Sequence, residues 1–181
     1  GLRAGAIESQ GTDRAILADV VLAAPKDKTG RAWEIVIIGP ESPSDVVTVE
    51  GQKYVRSKNG RLWSTAALES STPMFDGAKV YDNHLTNEQF EAAGGMRSPA
   101  REWLGSIVSP WWDRATNSMR GVLKVVDDAF ARKLVNASEG GVLSTVGLSL
   151  DVLRDFIKRR IGETVYELCN RITRVLSVDA V

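Results

Sequence analysis

The sequence predicts an α+β fold, a mainly antiparallel β-barrel surrounded by short helices. Two observations carry this. Runs of β-branched and apolar residues recur between Gly, Pro and Asp breaks along the whole chain. Helical signals are fewer, and each is brief. Strands that outnumber short helices pack as a sheet or barrel with the helices outside it.

The elements follow in order. Gly1 to Arg14 reads as a loose lead-in, Ala15 to Ala24 as a short apolar element, and Pro25 to Gly30 as a polar break. The domain is therefore expected over 31–181, with 1–30 as an N-terminal lead-in. Trp33 to Ile38 is β-branched and halted by Gly39-Pro40, a strand. Val46 to Val55 reads as a strand pair around Gly51, and Thr65 to Ser70 as a helical turn before Pro73. Lys79-Val80-Tyr81 is a short strand running into Asp82-Asn83-His84. Thr86 then caps a helix over Asn87 to Ala93 that ends at Gly94-Gly95. Arg101 to Ser109 and Met119 to Val126 are strands joined by a polar turn, Asp113 to Ser118. Asp127 or Asp128 caps a helix over Ala129 to Ala137, closed by Gly140-Gly141. Thr145 to Val152 is strand-like, and Thr164 to Val181 reads as one or two strands.

Composition excludes several classes of function. The chain has 181 residues, 43% hydrophobic and 25% charged, which is ordinary for a folded domain and incompatible with wholesale disorder. Lys plus Arg equals Asp plus Glu at 23 each, so no global field draws nucleic acid or an anionic membrane. No apolar run approaches the roughly 20 residues of a bilayer span. One histidine and one cysteine rule out a multi-histidine or cysteine-cluster zinc site and an internal disulfide. Cys169 lies in an apolar stretch and reads as a buried, inert thiol. No cofactor or metal is implied.

Acid–base chemistry near neutral pH must then use His84 or a strongly shifted carboxylate or lysine. Three segments join reactive side chains to strand context: Asp82-Asn83-His84, Gly147-Leu148-Ser149-Leu150-Asp151, and Leu176-Ser177-Val178-Asp179. A serine nucleophile needs an adjacent base, and the base needs an orienting group. Bland readings compete at each place. A lone histidine at a strand end is commonly structural, Ser149 between two leucines reads as a solvent-facing strand position, and Asp179 as an exposed strand carboxylate. The residues by themselves leave the function open.

A resemblance narrows it. Phe75-Asp76-Gly77-Ala78-Lys79-Val80-Tyr81-Asp82-Asn83-His84, Arg120-Gly121-Val122-Leu123-Lys124-Val125, Val146-Gly147-Leu148-Ser149-Leu150-Asp151 and Val175-Leu176-Ser177-Val178-Asp179-Ala180-Val181 occur in that order. Together they resemble the prohead (capsid maturation) proteases of tailed bacteriophages, serine proteases that share the herpesvirus assemblin fold, over roughly residues 33 to 181. The resemblance implies His84 as base and Ser149 as nucleophile. The family's third position, a histidine in assemblins and an acid in many phage relatives, falls nearest Ser177, with Asp179 two residues on. Both project from one strand face. Asp179 is the better orienter because a carboxylate stabilises imidazolium, which leaves Ser177 as a helper.

The resemblance also implies the biology: cleavage of scaffold and major capsid protein precursors, and of the protease itself, inside an immature shell in the host cytoplasm. A homo-oligomer is compatible with this, and neither nucleic acid nor membrane is a direct partner. The start at Gly1 and the stop at Val181 fit a domain released from a longer precursor or cut by design. Two rivals stand beside this reading: an inactive scaffold or capsid-assembly module with the same fold, and a crotonase-like phage protease, whose βαβ alternation is missing.

Other features have plainer expectations. Trp103, Trp111 and Trp112 are expected in the core or at an interface, with a sugar- or peptide-binding platform as the alternative. Arg154 with Lys158-Arg159-Arg160 reads as a solvated basic loop between strands.

Overall fold

The computed structural model describes residues 4–82, 92 and 103–180. Ten strands form one sheet: β1 (Ala4–Pro25), β2 (Ala32–Ile38), β3 (Val46–Val49), β4 (Gln52–Arg56), β5 (Leu62–Ser64), β6 (Lys79–Asp82), β7 (Trp103–Asp113), β8 (Ser118–Val125), β9 (Leu148–Ile161) and β10 (Thr164–Ala180). The order is β3-β4-β5-β10-β6-β7-β8-β2-β1-β9, and β9 pairs back onto β10. That last pairing closes β10-β6-β7-β8-β2-β1-β9 into a seven-stranded barrel, with β5, β4 and β3 extending the sheet beyond β10. Among the described residues, β10–β5 and β10–β6 are the parallel pairs and the rest are antiparallel. Closure pairs both edges of the seven barrel strands, and the one free edge among the described strands is the four-residue β3 at the end of the extension, a short edge that offers little for another chain to pair with.

Two helices pack on it among the described residues. α1 (Thr65–Ser71) starts on Ser64, whose hydroxyl accepts from Ala67 N–H. α2 (Asp128–Glu139) starts on Asp127, whose carboxylate accepts from Phe130 N–H at 2.8 Å. This is the cap expected of the Asp-Asp pair. Phe130, Ala131 and Leu134 are the face that α2 buries.

Trp33, Ile35, Ile37, Val80, Ile107, Leu123, Leu148, Leu150, Val152 and Val178 meet in one core cluster. The alternation of β2, apolar at Trp33, Ile35 and Ile37, is what fills it. Gly105 is required by closeness: a Cβ there would stand 2.2 Å from the Lys124 carbonyl oxygen on β8. At the β9–β10 hairpin, Gly162 takes φ +63° in the turn between Ile161 and Thr164.

Several expectations are corrected. Of the lead-in read over Gly1 to Arg14, the described part from Ala4 on belongs to a 22-residue strand, Ala4–Pro25, because β9 pairs with it from Ala4↔Ile161 to Val20↔Leu148. Its outer half is polar and exposed, so nothing local marks it as a strand; the partner does. Lys158-Arg159-Arg160 is not a loop but the far half of β9, and Arg154 is 1% exposed. The strand read from Thr145 starts at Leu148, after a 3₁₀ turn over Leu143–Thr145. Trp111 is 53% and Trp103 37% exposed, so of the core or interface expected for them the core does not hold them. Trp112 alone packs partly against it. The helix expected over Asn87 to Ala93 lies outside the described residues.

Candidate active site

β9 and β10 are antiparallel, and their register places Asp179 directly opposite Ser149 and Ser177 opposite Asp151. With a side-chain period of two, all four share one face of the ladder, while Leu148, Leu150, Val152 and Val178 point into the core. A register shift between Val175 and Ser177 produces this alignment. Such a bulge re-aims the residues beyond it, which is why the pattern of the last strand looks irregular in sequence. Ser177 Oγ donates to Asp179 Oδ2 at 2.8 Å.

The four are deeply enclosed. Ser149 is 3%, Asp151 3%, Ser177 2% and Asp179 0% exposed. The expectations of a solvent-facing Ser149 and an exposed Asp179 therefore do not hold. Buried polar groups need partners, and two are plain: Ser177 bonds Asp179, and Asp151 is gripped by Arg14 of β1. Arg14 Nε donates to the two Asp151 oxygens at 2.8 and 2.9 Å, and Nη2 donates to Oδ2 at 2.5 Å.

β6 supplies the third wall. It pairs in parallel with β10, with Tyr81 in register with Asp179 and Asp82 with Ala180. The strand ends at Asp82, two residues before His84 in sequence. His84 itself lies outside the described residues, so the structure brings Ser149, Ser177 and Asp179 together and adds the end of the strand that leads to the histidine.

A cleft of about 510 Å³ opens at this end of the barrel. Its described lining includes Asp82, Leu104, Phe130, Lys133, Gly147 and Ala180. Gly147 is two residues from Ser149 and Ala180 adjoins Asp179. Apolar Leu104 and Phe130 share this lining with the charged Asp82, Asp127 and Lys133. A larger cleft, about 730 Å³, between Gly39–Val46 and Ala115–Ser118 shares no lining residue with it. The cations there are paired, Lys58 with Glu41 at 3.5 Å and Arg120 with Asp113 at 3.2 Å.

Arg14 is the site residue that sequence reasoning missed. It stands where the chain reads as a lead-in, and only the pairing of β1 with β9 carries it to Asp151. Cys169 is buried as expected, and burial pushes its thiol up to about 11. No group of three or more His, Cys, Asp or Glu that could hold a metal occurs among the described residues.

No family model matches the chain, and no curated protein matches it. A solved structure does: the capsid assembly protease gp21 of bacteriophage T4, with a TM-score of 0.54 and 17% identity over 93% of this chain and 97% of that one. At that identity the likeness speaks for the fold. The chain has the fold of a phage capsid assembly protease.

Proposed function

We propose that the protein is a serine endopeptidase that cleaves scaffold and capsid precursor proteins, and itself, during prohead maturation. The observation that carries this reading is the cross-strand pair of Ser149 and Asp179, buried on one face with Ser177 bonded to the carboxylate. The T4 neighbour supports the same reading from the fold.

Ser149 Oγ attacks the scissile carbonyl carbon while His84 takes its proton. His84 then gives that proton to the leaving amine, the peptide C–N bond breaks, and an acyl-enzyme remains. Water, giving its proton to His84, attacks the ester carbonyl; the acyl C–Oγ bond breaks, the carboxylic acid product leaves, and His84 returns the proton to Ser149 Oγ. Asp179 orients the imidazole and stabilises imidazolium, and Ser177 fixes one oxygen of Asp179 for that task. The Gly147 and Ala180 cleft receives the substrate chain beside the nucleophile. By analogy with the phage protease, the substrates are precursor proteins inside the immature shell.

One observation favours the rival reading of an inactive assembly module: Ser149 is only 3% exposed. A fluorophosphonate probe with peptide mapping separates the two. Labelling at Ser149 that is absent from Ser149→Ala, together with cleavage of an inactive precursor in trans, is the expected result. Folded protein that neither labels nor cleaves would make it a module.

A further inference from the structure

The polar face of β9 and β10 has a charged neighbour that the triad reading does not use. Arg14 and Asp151 form a two-pronged ion pair, with side chains 12% and 4% exposed. A fork of this kind fixes the plane of the guanidinium as well as its charge. Asp151 lies opposite Ser177, and Ser177 holds Asp179. The cation is therefore held against the face that carries Ser149 and Asp179. Its own protonation reflects both carboxylates: the Asp151 hydrogen bond raises the Arg14 guanidinium most, burial opposes, and the charges of Asp151 and Asp179 add to the rise.

We propose that Arg14, clamped by Asp151, is a positioning residue of this site: the fixed cation that balances two carboxylates on one buried face and so tunes the base that Asp179 orients. The inference rests on the serine-protease reading above. Among the described residues, the charged and titratable groups placed near Asp179 include Arg14 on β1, Asp151 on β9, and Tyr81 and Asp82 on β6. Asp127 and Lys133 of the α2 region line the adjoining cleft. Against that constant background, removing the cation leaves Asp151 and Asp179 as like charges on adjacent strands. The surplus negative charge favours a proton on the catalytic base, so the acid limb of activity moves to higher pH. Removing Asp151 while keeping Arg14 has the opposite sign. Removing both restores the balance.

The test measures the rate of fluorophosphonate labelling at Ser149 against pH in the full chain, with thermal melting alongside. Arg14→Met is expected to move the acid limb up by about 0.5–1 pH unit, and Asp151→Asn to move it down by a similar amount. Arg14→Met/Asp151→Asn should return close to the parent, and Arg14→Lys should keep the parent limb at a lower melting temperature. A purely structural ion pair lowers the melting temperature in each single variant and moves no limb. Coincident limbs in Asp151→Asn and in Arg14→Met overturn the role. If Arg14→Met fails to fold, Asp151→Asn and Arg14→Lys decide alone. Ser149→Ala and Asp179→Asn run as controls: loss of labelling in both with coincident limbs defeats only the Arg14 role, whereas parent-like labelling of Ser149→Ala defeats the protease reading and this inference with it.

Discussion

The β9–β10 hairpin carries two polar clusters, one at its open end and one nearer the turn, and they differ in make-up. At the barrel end stand Ser149, Asp151, Ser177 and Asp179. Toward the hairpin turn stand Arg154, Glu167 and Cys169, with Asp13 of β1 against them. Arg154 is 1% exposed and is fully partnered: Nε to Asp13 at 2.8 Å, Nη2 to Glu167 at 2.7 Å, Nη1 to Cys169 Sγ at 2.9 Å, and its guanidinium carbon 4.7 Å from the Phe156 ring centre. Glu167 is also held by Arg61 at 3.0 Å. Burial pushes the Glu167 carboxyl up, but Arg154 and Arg61 outweigh it and the net shift is downward. This cluster spends its charges on one another, and its thiol is kept protonated.

The barrel-end cluster differs in composition and in place. It sets a hydroxyl opposite a carboxylate, and its chain neighbours Gly147 and Ala180 line a cleft. Each cluster holds an arginine between carboxylates, Arg14 at one and Arg154 at the other, so an ion pair by itself does not mark an active site. What marks one is a nucleophile with an orienting acid beside a space for substrate.

That contrast can be broken at either end. The largest expected effect is at the barrel end: Ser149→Ala should reduce cleavage by at least about 10³-fold, and Asp179→Asn by about 10²–10⁴-fold through the wrong imidazole tautomer. Initial rates on a precursor peptide, with melting curves matching the parent, check both. Parent-like rates in Ser149→Ala would move the nucleophile elsewhere.

Arg154→Met comes next and should act on stability instead. It strips Glu167 and Asp13 of their shared cation, which is expected to cost about 3 kcal/mol in urea unfolding. Labelling of Ser149 per folded molecule should hardly change. A variant that is stable but unreactive would join the two clusters into one site.

The third effect sharpens the difference in chemistry. Cys169 has its folded value raised from 9.0 to about 11. Above pH 9 the unfolded chain therefore loses this proton while the folded one retains it, and stability falls as pH rises through 11. The expected loss is about 2–3 kcal/mol between pH 8.5 and 11. It should be absent in Cys169→Ala when the two are compared by denaturant titration. Equal slopes would show that the thiol is not what titrates.

Ser177→Ala should be the mildest, lowering the rate about 10–100-fold, since a hydrogen bond from a hydroxyl to the Asp179 carboxylate is worth about 1.5–3 kcal/mol. A loss exceeding that of Asp179→Asn would hand the third role to Ser177.

Much of the fold was legible before the structure. The strands at Trp33–Ile38, Val46–Val55 and Lys79–Tyr81 follow from β-branched runs and their breaks, and Asp127 caps α2 as its position suggests. These are local signals, because propensity, capping and alternation act over a few residues. The outer half of β1 and the basic half of β9 were not legible. Their side chains are polar on both faces, and each is a strand because the other pairs with it.

By itself the sequence determined the strand-rich α+β class, the exclusion of multi-histidine zinc chemistry, and the short set of hydroxyl and acid residues from which a site could be drawn. Only the tertiary structure decided that Ser149 faces Asp179, that Ser177 holds the carboxylate, and that Arg14 comes to Asp151. The reason is register. A slip of one residue sends every side chain of a strand to the opposite face, and register across β1, β9 and β10 is set by barrel closure and by bulges such as that between Val175 and Ser177, which join residues far apart in the chain.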